Sequence, residues 1–294
     1  MSLILSSLSQ GLLWSIMAIG VYLTFRILDI ADLTAEGSYP LGAAICATGI
    51  VSGVSPLLAT FLAFVGGLLA GLVSGLVHTK LKIPALLTGI ITLTGLYSVN
   101  LKVLGRANVA LLRQRTLVTQ LYDLGFTKLA AVLIMGFVFV TIVIFLLALL
   151  MKTQLGLALR STGDNNPMSE ANGIKTDQMK IMGYMLSNGL IALCGALLCQ
   201  NNGYADLNAG VGTIVIGLAS IIIAEVMIRQ LSIGWRLASI VLGSIVYRLI
   251  ILAILAIPGM DADLVKLFSA MLLAAVLFVP ELQQRLRLRK TSLG

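Results

Sequence analysis

The chain has 294 residues, 59% of them hydrophobic and only 11% charged, with a mean hydropathy of +1.03. Soluble domains carry about 25% charged residues, so a soluble protein is excluded. Apolar runs recur along the whole chain, which excludes a single anchor attached to a water-soluble domain. The formal net charge of +8 is not a nucleic-acid footprint, because the basic residues sit mostly in short loops and the tail, where they set topology in a lipid bilayer.

Met1 to Phe25 is apolar and ends at Arg26. It lacks a basic leading region and a cleavage site, so it reads as a retained first span. A polar stretch follows, Asp29 to Gly37, carrying Asp29, Asp32 and Glu36. The uncharged run from Gly37 to Val77 is too long for one span, and Gly53 to Pro56 divides it into spans near 39–53 and 57–77. His78, Lys80 and Lys82 form a basic turn before Pro84 opens a fourth span that reaches about Asn100. Residues 102–128 are basic, with Lys102, Arg106, Arg113, Arg115 and Lys128 against Asp123. They suit a short interfacial helix or a partly embedded segment.

Five more apolar runs follow, at 129–151, 181–200, 210–228, 238–257 and 265–280. The pattern predicts an all-α polytopic membrane protein of about nine transmembrane helices, some broken or re-entrant. Cys46, Cys194 and Cys199 lie in apolar runs without ligand spacing and read as small hydrophobes. The tail bears Arg285, Arg287, Arg289 and Lys290, so the positive-inside bias puts it in the cytoplasm. Counting back through nine spans puts 156–177 and His78–Lys82 inside and the N-terminus outside. The basic 102–128 stretch then falls outside, against the bias.

One polar island, Gly156 to Ile174, stands between two apolar runs and reads GLALRSTGDNNPMSEANGI. Ser161-Thr162-Gly163-Asp164 reads as a cap-like turn, and Asn166-Pro167 is suited to stop one short helix and begin a second. Glu170 then falls in that second helix's first turn, where a carboxylate is favoured, and Gly173 ends or thins it. Such an element serves either as a handle for another protein or as a solvated connector.

Two shorter signals concern a pathway. Ala31-Asp32-Leu33-Thr34-Ala35 is echoed by Ala205-Asp206-Leu207-Asn208-Ala209, each between two apolar runs. On the topology above they lie on opposite sides, as an inverted repeat would place them, though two unrelated turns fit as well. Polar breaks of this kind present helix N-termini to a transport pathway. Among the ionisable groups within apolar runs the candidates are Glu225 and Arg248, since intramembrane charges normally serve a function. Glu225 is about one turn from Arg229 and within reach of the interface. Arg248 is about ten residues into its run, roughly 15 Å at 1.5 Å per residue, so its head faces protein or water. It either braces the bundle, with Glu225, a backbone carbonyl or water as partner, or handles solute. The chain has no HExxH, GxSxG or Walker A motif and a single histidine, which argues against a metalloenzyme, an intramembrane hydrolase or a chain that hydrolyses ATP itself.

The island resembles the coupling-loop motif of the membrane permeases of bacterial ABC importers, in the branched-chain amino acid and ribose permease superfamily. The match rests on Gly156, Ala158, Leu159, Arg160, Gly163, Asp164, Asn165, Pro167, Ala171, Gly173 and Ile174, with Asn166 as a one-residue departure in register. Asp32-Leu33-Thr34 through Gly37, and then Tyr39 to Ala43, are similar to the segment that opens the family's second span, with Ala35-Glu36 in place of a single residue. The resemblance covers nearly the whole chain and is nearest the subgroup associated with tryptophan or tyrosine.

It implies a type II ABC importer permease fold: one domain over 1–294 with a cytoplasmic coupling loop at 156–177, in the bacterial cytoplasmic membrane. It further implies a second copy of the permease, two ATPase subunits that carry the ATP and magnesium, and an external solute-binding protein or lipoprotein. This chain then has no cofactor and no covalent chemistry, and moves its solute by alternating access. The ATPase-coupling residues are Arg160, Gly163, Asp164, Asn165, Pro167, Glu170 and Gly173. The pathway or bundle candidates are Asp32, Glu36, Asp206, Asn208, Glu225 and Arg248. The solute implied is an amino acid, with a purine, nucleoside or sugar open in the wider superfamily. The alternative is a secondary transporter or channel for a small polar solute.

Overall fold

The computed structural model describes residues 2–228, 232–256, 267–275 and 278. The described residues are mostly helical, with short connections and one two-stranded ribbon. The long helices are α1 (Ser2–Tyr22), α2 (Ala35–Val51), α3 (Pro56–Lys80), α4 (Ala85–Leu104), α6 (Lys128–Lys152), α9 (Thr176–Asn202), α10 (Thr213–Met227) and α11 (Ile233–Leu255). The short ones are α5 (Leu117–Asp123), α7 (Gln154–Asp164) and α8 (Asn166–Ala171). Seven helices among the described residues are long and apolar enough to cross a membrane, so the chain is a multi-pass membrane protein.

The expected count of nine is not reached among the described residues. Helix α2 has 17 residues, about 25 Å at 1.5 Å per residue, short of a hydrocarbon core about 30 Å thick. The run expected at 265–280 falls partly outside the described residues. Helix α9 starts at Thr176 rather than near 181, because Asp177 and Lys180 lie in its first turns, where charged side chains can reach polar surroundings.

Helix α9 is the core of the bundle. It packs most extensively on α3 and then on α2, while α1 packs on α11, α10 and α9 itself. The α3–α9 seam follows from a run of glycines one turn apart. A Cβ at Gly67 would strike the Asn188 carbonyl, one at Gly71 the Tyr184 carbonyl, and one at Gly75 would lie 2.9 Å from Ile181 Cα. In lipid, such close backbone approach replaces the hydrophobic drive that helices lack there.

The Asp-Leu echo has a structural counterpart. Helix α1 is followed by a π-helical turn, Leu23–Ile27, the Asp32 segment, short α2 and long α3. Helix α9 is followed by the Asp206 segment, short α10 and long α11. Asp32 Oδ1 accepts from Thr34 N at 2.9 Å and Asp206 Oδ1 from Asn208 N at 2.8 Å, so each break is built on the same local turn. Just as α2 and α3 pack on α9, α10 and α11 pack on α1. Both short helices start inside the bundle and leave it in opposite directions. Thr48 of α2 donates to Val103 O at the far end of α4, whereas Glu225 of α10 pairs with Arg26 beside the island.

Residues 102–128 fold onto the end of the bundle opposite the island. Strand β1 (Asn108–Ala110) pairs antiparallel with β2 (Tyr204–Asp206), with Val109 opposite Ala205. Helix α5 starts in a reciprocal Thr116–Thr119 cap, and its first amide, Leu117 N, donates to Gln200 Oε1 at 2.9 Å. Backbone groups of this polar stretch are thus satisfied by the segment around the end of α9.

Candidate functional site

The start of α2 is held by a buried polar network. Asp32 is 4% exposed, a costly place for a carboxylate unless hydrogen bonds hold it. Besides Thr34 N, it accepts from Asn188 Nδ2 at 2.7 Å, and Asn188 Oδ1 accepts from Ser38 Oγ at 2.7 Å. Thr34 Oγ1 lies 2.8 Å from Ser74 Oγ and 2.7 Å from Thr92 Oγ1. The break is thereby fastened to α9, α3 and α4 at once. Asp32 is a brace inside the protein, held by Thr34 N and Asn188.

Glu36, one turn further on, is only half-buried. Its Oε1 accepts from Gly212 N at 2.9 Å, which fixes the start of α10 against the start of α2. A Cβ at Gly210 would strike the Glu36 carbonyl, so the turn Leu207–Gly210 lies directly on α2. Glu36 and Asn208 line a cavity of about 370 Å³ whose opposite wall is α4, with Thr94, Tyr97, Ser98 and Asn100. Asp206 sits apart, in the ribbon opposite Asn108. Of the six pathway or bundle candidates, Glu36 and Asn208 share this cavity, and Glu225 lines a separate one of about 260 Å³ together with Arg26.

Arg248 rests on an aromatic pair. Its Cζ lies 4.6 Å from the centroid of the Trp14 ring, and Trp14 stacks on Tyr39 at 5.4 Å and 16°. Arg248 Nε is buried with no hydrogen-bond partner among the described residues. A guanidinium over an indole face is attracted by the ring quadrupole. Glu225 is not its partner: it takes Arg26 Nε at 2.7 Å, at the island end of α10. Arg26 stands beyond the end of α1 and reaches Glu225 from the π-helical turn.

The island folds as two short helices. Thr153 caps α7 by accepting from Gly156 N at 3.3 Å, and Asn165 caps α8 by accepting from Met168 N at 3.0 Å. The expected turn at Ser161–Asp164 is instead the last turn of α7. Ser161 Oγ and Thr162 Oγ1 donate back to Ala158 O at 3.1 and 2.7 Å, so their hydroxyls are used within the helix. Pro167 lies at the start of α8, as expected. Glu170 lies beyond the first turn of α8, because Asn165 rather than a later residue caps it. Its Oε1 accepts from Asn166 Nδ2 at 3.0 Å and Thr176 Oγ1 at 2.7 Å, tying α8 to the start of α9. Gly173 has a φ of 79°, the left-handed region that glycine suits.

The seven island candidates divide by direction. Arg160 points inward, donating Nη2 to Met151 O at 3.2 Å and Nε to Gly156 O at 3.3 Å, so a cation meets the carbonyl end of α6. Gly163 lies against the backbone of the π-helical turn, where a Cβ would strike the Ile27 carbonyl. Asp164, Asn165, Pro167, Glu170 and Gly173 are exposed, as is Met168, 64% accessible at the tip and unmarked by sequence reasoning. Sequence reasoning also missed Asn100, Asn188, Trp14 and Tyr39. A lone amide inside an apolar run was the available signal for the first two.

No group of three or more metal-ligating side chains occurs among the described residues, and the three cysteines are buried and free.

Over 292 residues the chain is 40% identical to a tyrosine transport system permease protein of Clostridioides difficile (strain R20291), covering 99% of this chain and 95% of that one. It is 28% identical over 224 residues to the autoinducer 2 import system permease protein LsrC of Escherichia coli O157:H7, covering 76% of this chain and 63% of that one. No solved structure matches. The family model for the permease component of branched-chain amino acid transport systems matches residues 3–277, and the chain, with its broken helices and capped polar island, belongs to that family.

Proposed function

We propose that this permease is the membrane subunit of an ATP-driven ABC importer of an amino acid, tyrosine being the first candidate. The C. difficile relative is a tyrosine transport permease by name. The observation that carries the mechanism is the island. It is capped at the start of both helices, braced by Glu170 and Arg160, and exposes Asp164, Asn165, Pro167 and Met168. A solvated connector needs no such fixing, whereas a surface that must transmit a push does.

In this reading the island end is cytoplasmic and takes one of two ATPase subunits, which carry ATP and magnesium. The opposite end, with the ribbon and the N-terminus, faces an external binding protein at the cytoplasmic membrane. A second copy of the permease covers α4, whose exposed Thr94, Tyr97 and Ser98 suit a protein or aqueous surface better than lipid. Of the nine spans in this reading, α2 and α10 are the short ones. Alternating access then shifts the two short helices about the Glu36–Gly212 contact.

The test is to coexpress the permease with its candidate ATPase, purify in mild detergent, and reconstitute with the binding protein. Copurification and ATP-dependent L-tyrosine uptake are expected. Uptake driven by a proton or sodium gradient without an ATPase would instead identify a secondary transporter.

A further inference from the structure

At the island end of the bundle a cavity of about 260 Å³ opens between the π-helical turn, the end of α10 and the start of α11. It is smaller than most small-molecule sites, roughly 300–1,000 Å³, so a headgroup-sized fragment suits it better than a whole solute. Its wall is of two kinds. Ile221, Val226 and Ile228 are apolar, while Arg26, Glu225 and Arg236 bring charge. The Glu225 carboxylate takes Arg26 Nε at 2.7 Å, so these two charges offset each other. Arg236 is partly exposed and has no ion pair or side-chain hydrogen bond among the described residues. It therefore sets the sign of the cavity.

The helix that carries Arg236 has the same sign. Helix α11 begins at Ile233 with no side-chain cap from Ser232 and no acid in its first turn. Arg236 closes that turn, at the positive end of the helix dipole, where a cation is disfavoured and an anion favoured. Uncapped amides and an unpaired guanidinium at one helix start both suit a negative group. Beside Arg236, Trp235 is 70% exposed, and an exposed indole at the end of a span suits the headgroup level of a bilayer. Met227 and Ile228, at the end of α10, are exposed as well, so apolar surface surrounds the charge at that level.

We propose that this cavity seats the phosphate of an anionic phospholipid from the leaflet at the island end, with Arg236 as its ligand. The apolar wall takes the first carbons of the lipid, and the Arg26–Glu225 pair holds the far side of the cavity. Basic pockets between spans bind such headgroups. A soluble phosphate would meet Arg236 but leave the apolar wall in water.

The test reads Trp235 fluorescence in the full-length permease, reconstituted in phosphatidylcholine vesicles. Trp14 is the other tryptophan and is buried, and Trp235→Phe gives the background it contributes. The quencher is a lipid spin-labelled near the top of one acyl chain. Labelled phosphatidylglycerol should quench Trp235 at about a tenfold lower mole fraction than labelled phosphatidylcholine, the weight of one hydrogen bond to a charged group. Arg236→Gln should erase that difference, and inorganic phosphate in the buffer should leave it unchanged. Equal quenching by the two lipids, or a preference that survives Arg236→Gln, overturns the site. Loss of the preference in inorganic phosphate makes this a soluble-anion site and overturns the lipid. Loss on adding the candidate ATPase assigns Arg236 to that interface and overturns it as well. Arg236→Met, which keeps an apolar stem without the charge, gives the same readout if Arg236→Gln does not insert.

Discussion

Arg26 and Glu225 form an ion pair at 2.7 Å that joins the π-helical turn after α1 to the last turns of α10. The same turn lies under the island, with Gly163 against the Ile27 carbonyl. At its other end α10 meets α2 through Gly212 N and Glu36. A continuous set of contacts therefore runs from the exposed island to the cavity beside Glu36, and π-helical turns are frequently found at functional sites.

The first prediction follows from that pair. Arg26→Ala and Glu225→Ala should each lower solute-stimulated ATP hydrolysis about fivefold or more, the low end of typical coupling free energies. The exposed pair contributes only about 0–1 kcal/mol to stability, so thermal unfolding should barely move. Exchanging the charges, Arg26→Glu with Glu225→Arg, should restore much of the coupling. A swapped pair no better than the single variants would reduce the ion pair to a surface contact.

Arg248 supports a second prediction. Trp14→Leu removes the ring beneath the guanidinium, and Trp14→Phe keeps a π face. Arg248→Leu should lower uptake, Trp14→Leu should reproduce that loss, and Trp14→Phe should retain most activity. The cation–π contact accounts for about 0.5–2 kcal/mol, so the two leucine changes combined should lose less than the sum of the single losses. Uptake and thermal midpoints of the four variants, the double leucine change included, in one membrane preparation decide it. Strict additivity would mean that Arg248 acts without Trp14.

The α3–α9 seam gives a third. At Gly71 any side chain meets the Tyr184 carbonyl, a rigid backbone atom. Gly71→Val should abolish accumulation of folded protein, since overpacking in a well-packed core costs about 1–3 kcal/mol even where neighbours can shift. Gly95, with open space around its Cβ position, is the control, and Gly95→Ala should express normally. Membrane-fraction yield and detergent size-exclusion profiles distinguish them. Normal yield of Gly71→Val would mean the helices pack less closely than this.

The bundle was largely legible in the chain because its spans are set by local properties. Runs of apolar residues fix length, and Gly53–Pro56 and Pro84 break the chain where α3 and α4 begin. Charge alone misleads at helix ends: Asp177 and Lys180 marked a loop in sequence but sit in α9, since a helix end tolerates charge. The site was less legible because it depends on pairs distant in sequence. Asp32 finds Asn188, Asn100 finds Gly37, and Arg248 finds Trp14, and no spacing rule links them. The echo at Asp32 and Asp206 was visible because each turn is made by its own aspartate. Glu170 was expected in the first turn of α8 and lies just beyond it, because three successive residues, Asn165, Asn166 and Pro167, each offer a helix start.

The last prediction concerns the island and separates its inner brace from its outer surface. Glu170 links Asn166 to Thr176 through one carboxylate oxygen. Glu170→Gln keeps an acceptor there and should be mild, while Glu170→Arg removes it and should loosen α8 from α9. Gly173→Trp forces a side chain onto a backbone with φ of 79°, a strain of about 1–2 kcal/mol, confined to a surface turn. Met168→Asp changes only an exposed tip and leaves every hydrogen bond of the island in place. If the island docks an ATPase, Met168→Asp, Glu170→Arg and Gly173→Trp should all reduce copurification and solute-stimulated turnover. The thermal midpoint should stay unchanged for Met168→Asp and shift by a few degrees at most for the other two. Met168→Asp is the most telling, because it cannot act through the fold. Normal ATPase recruitment in all three variants would leave the island a rigid connector and remove the main support for ATP-driven import.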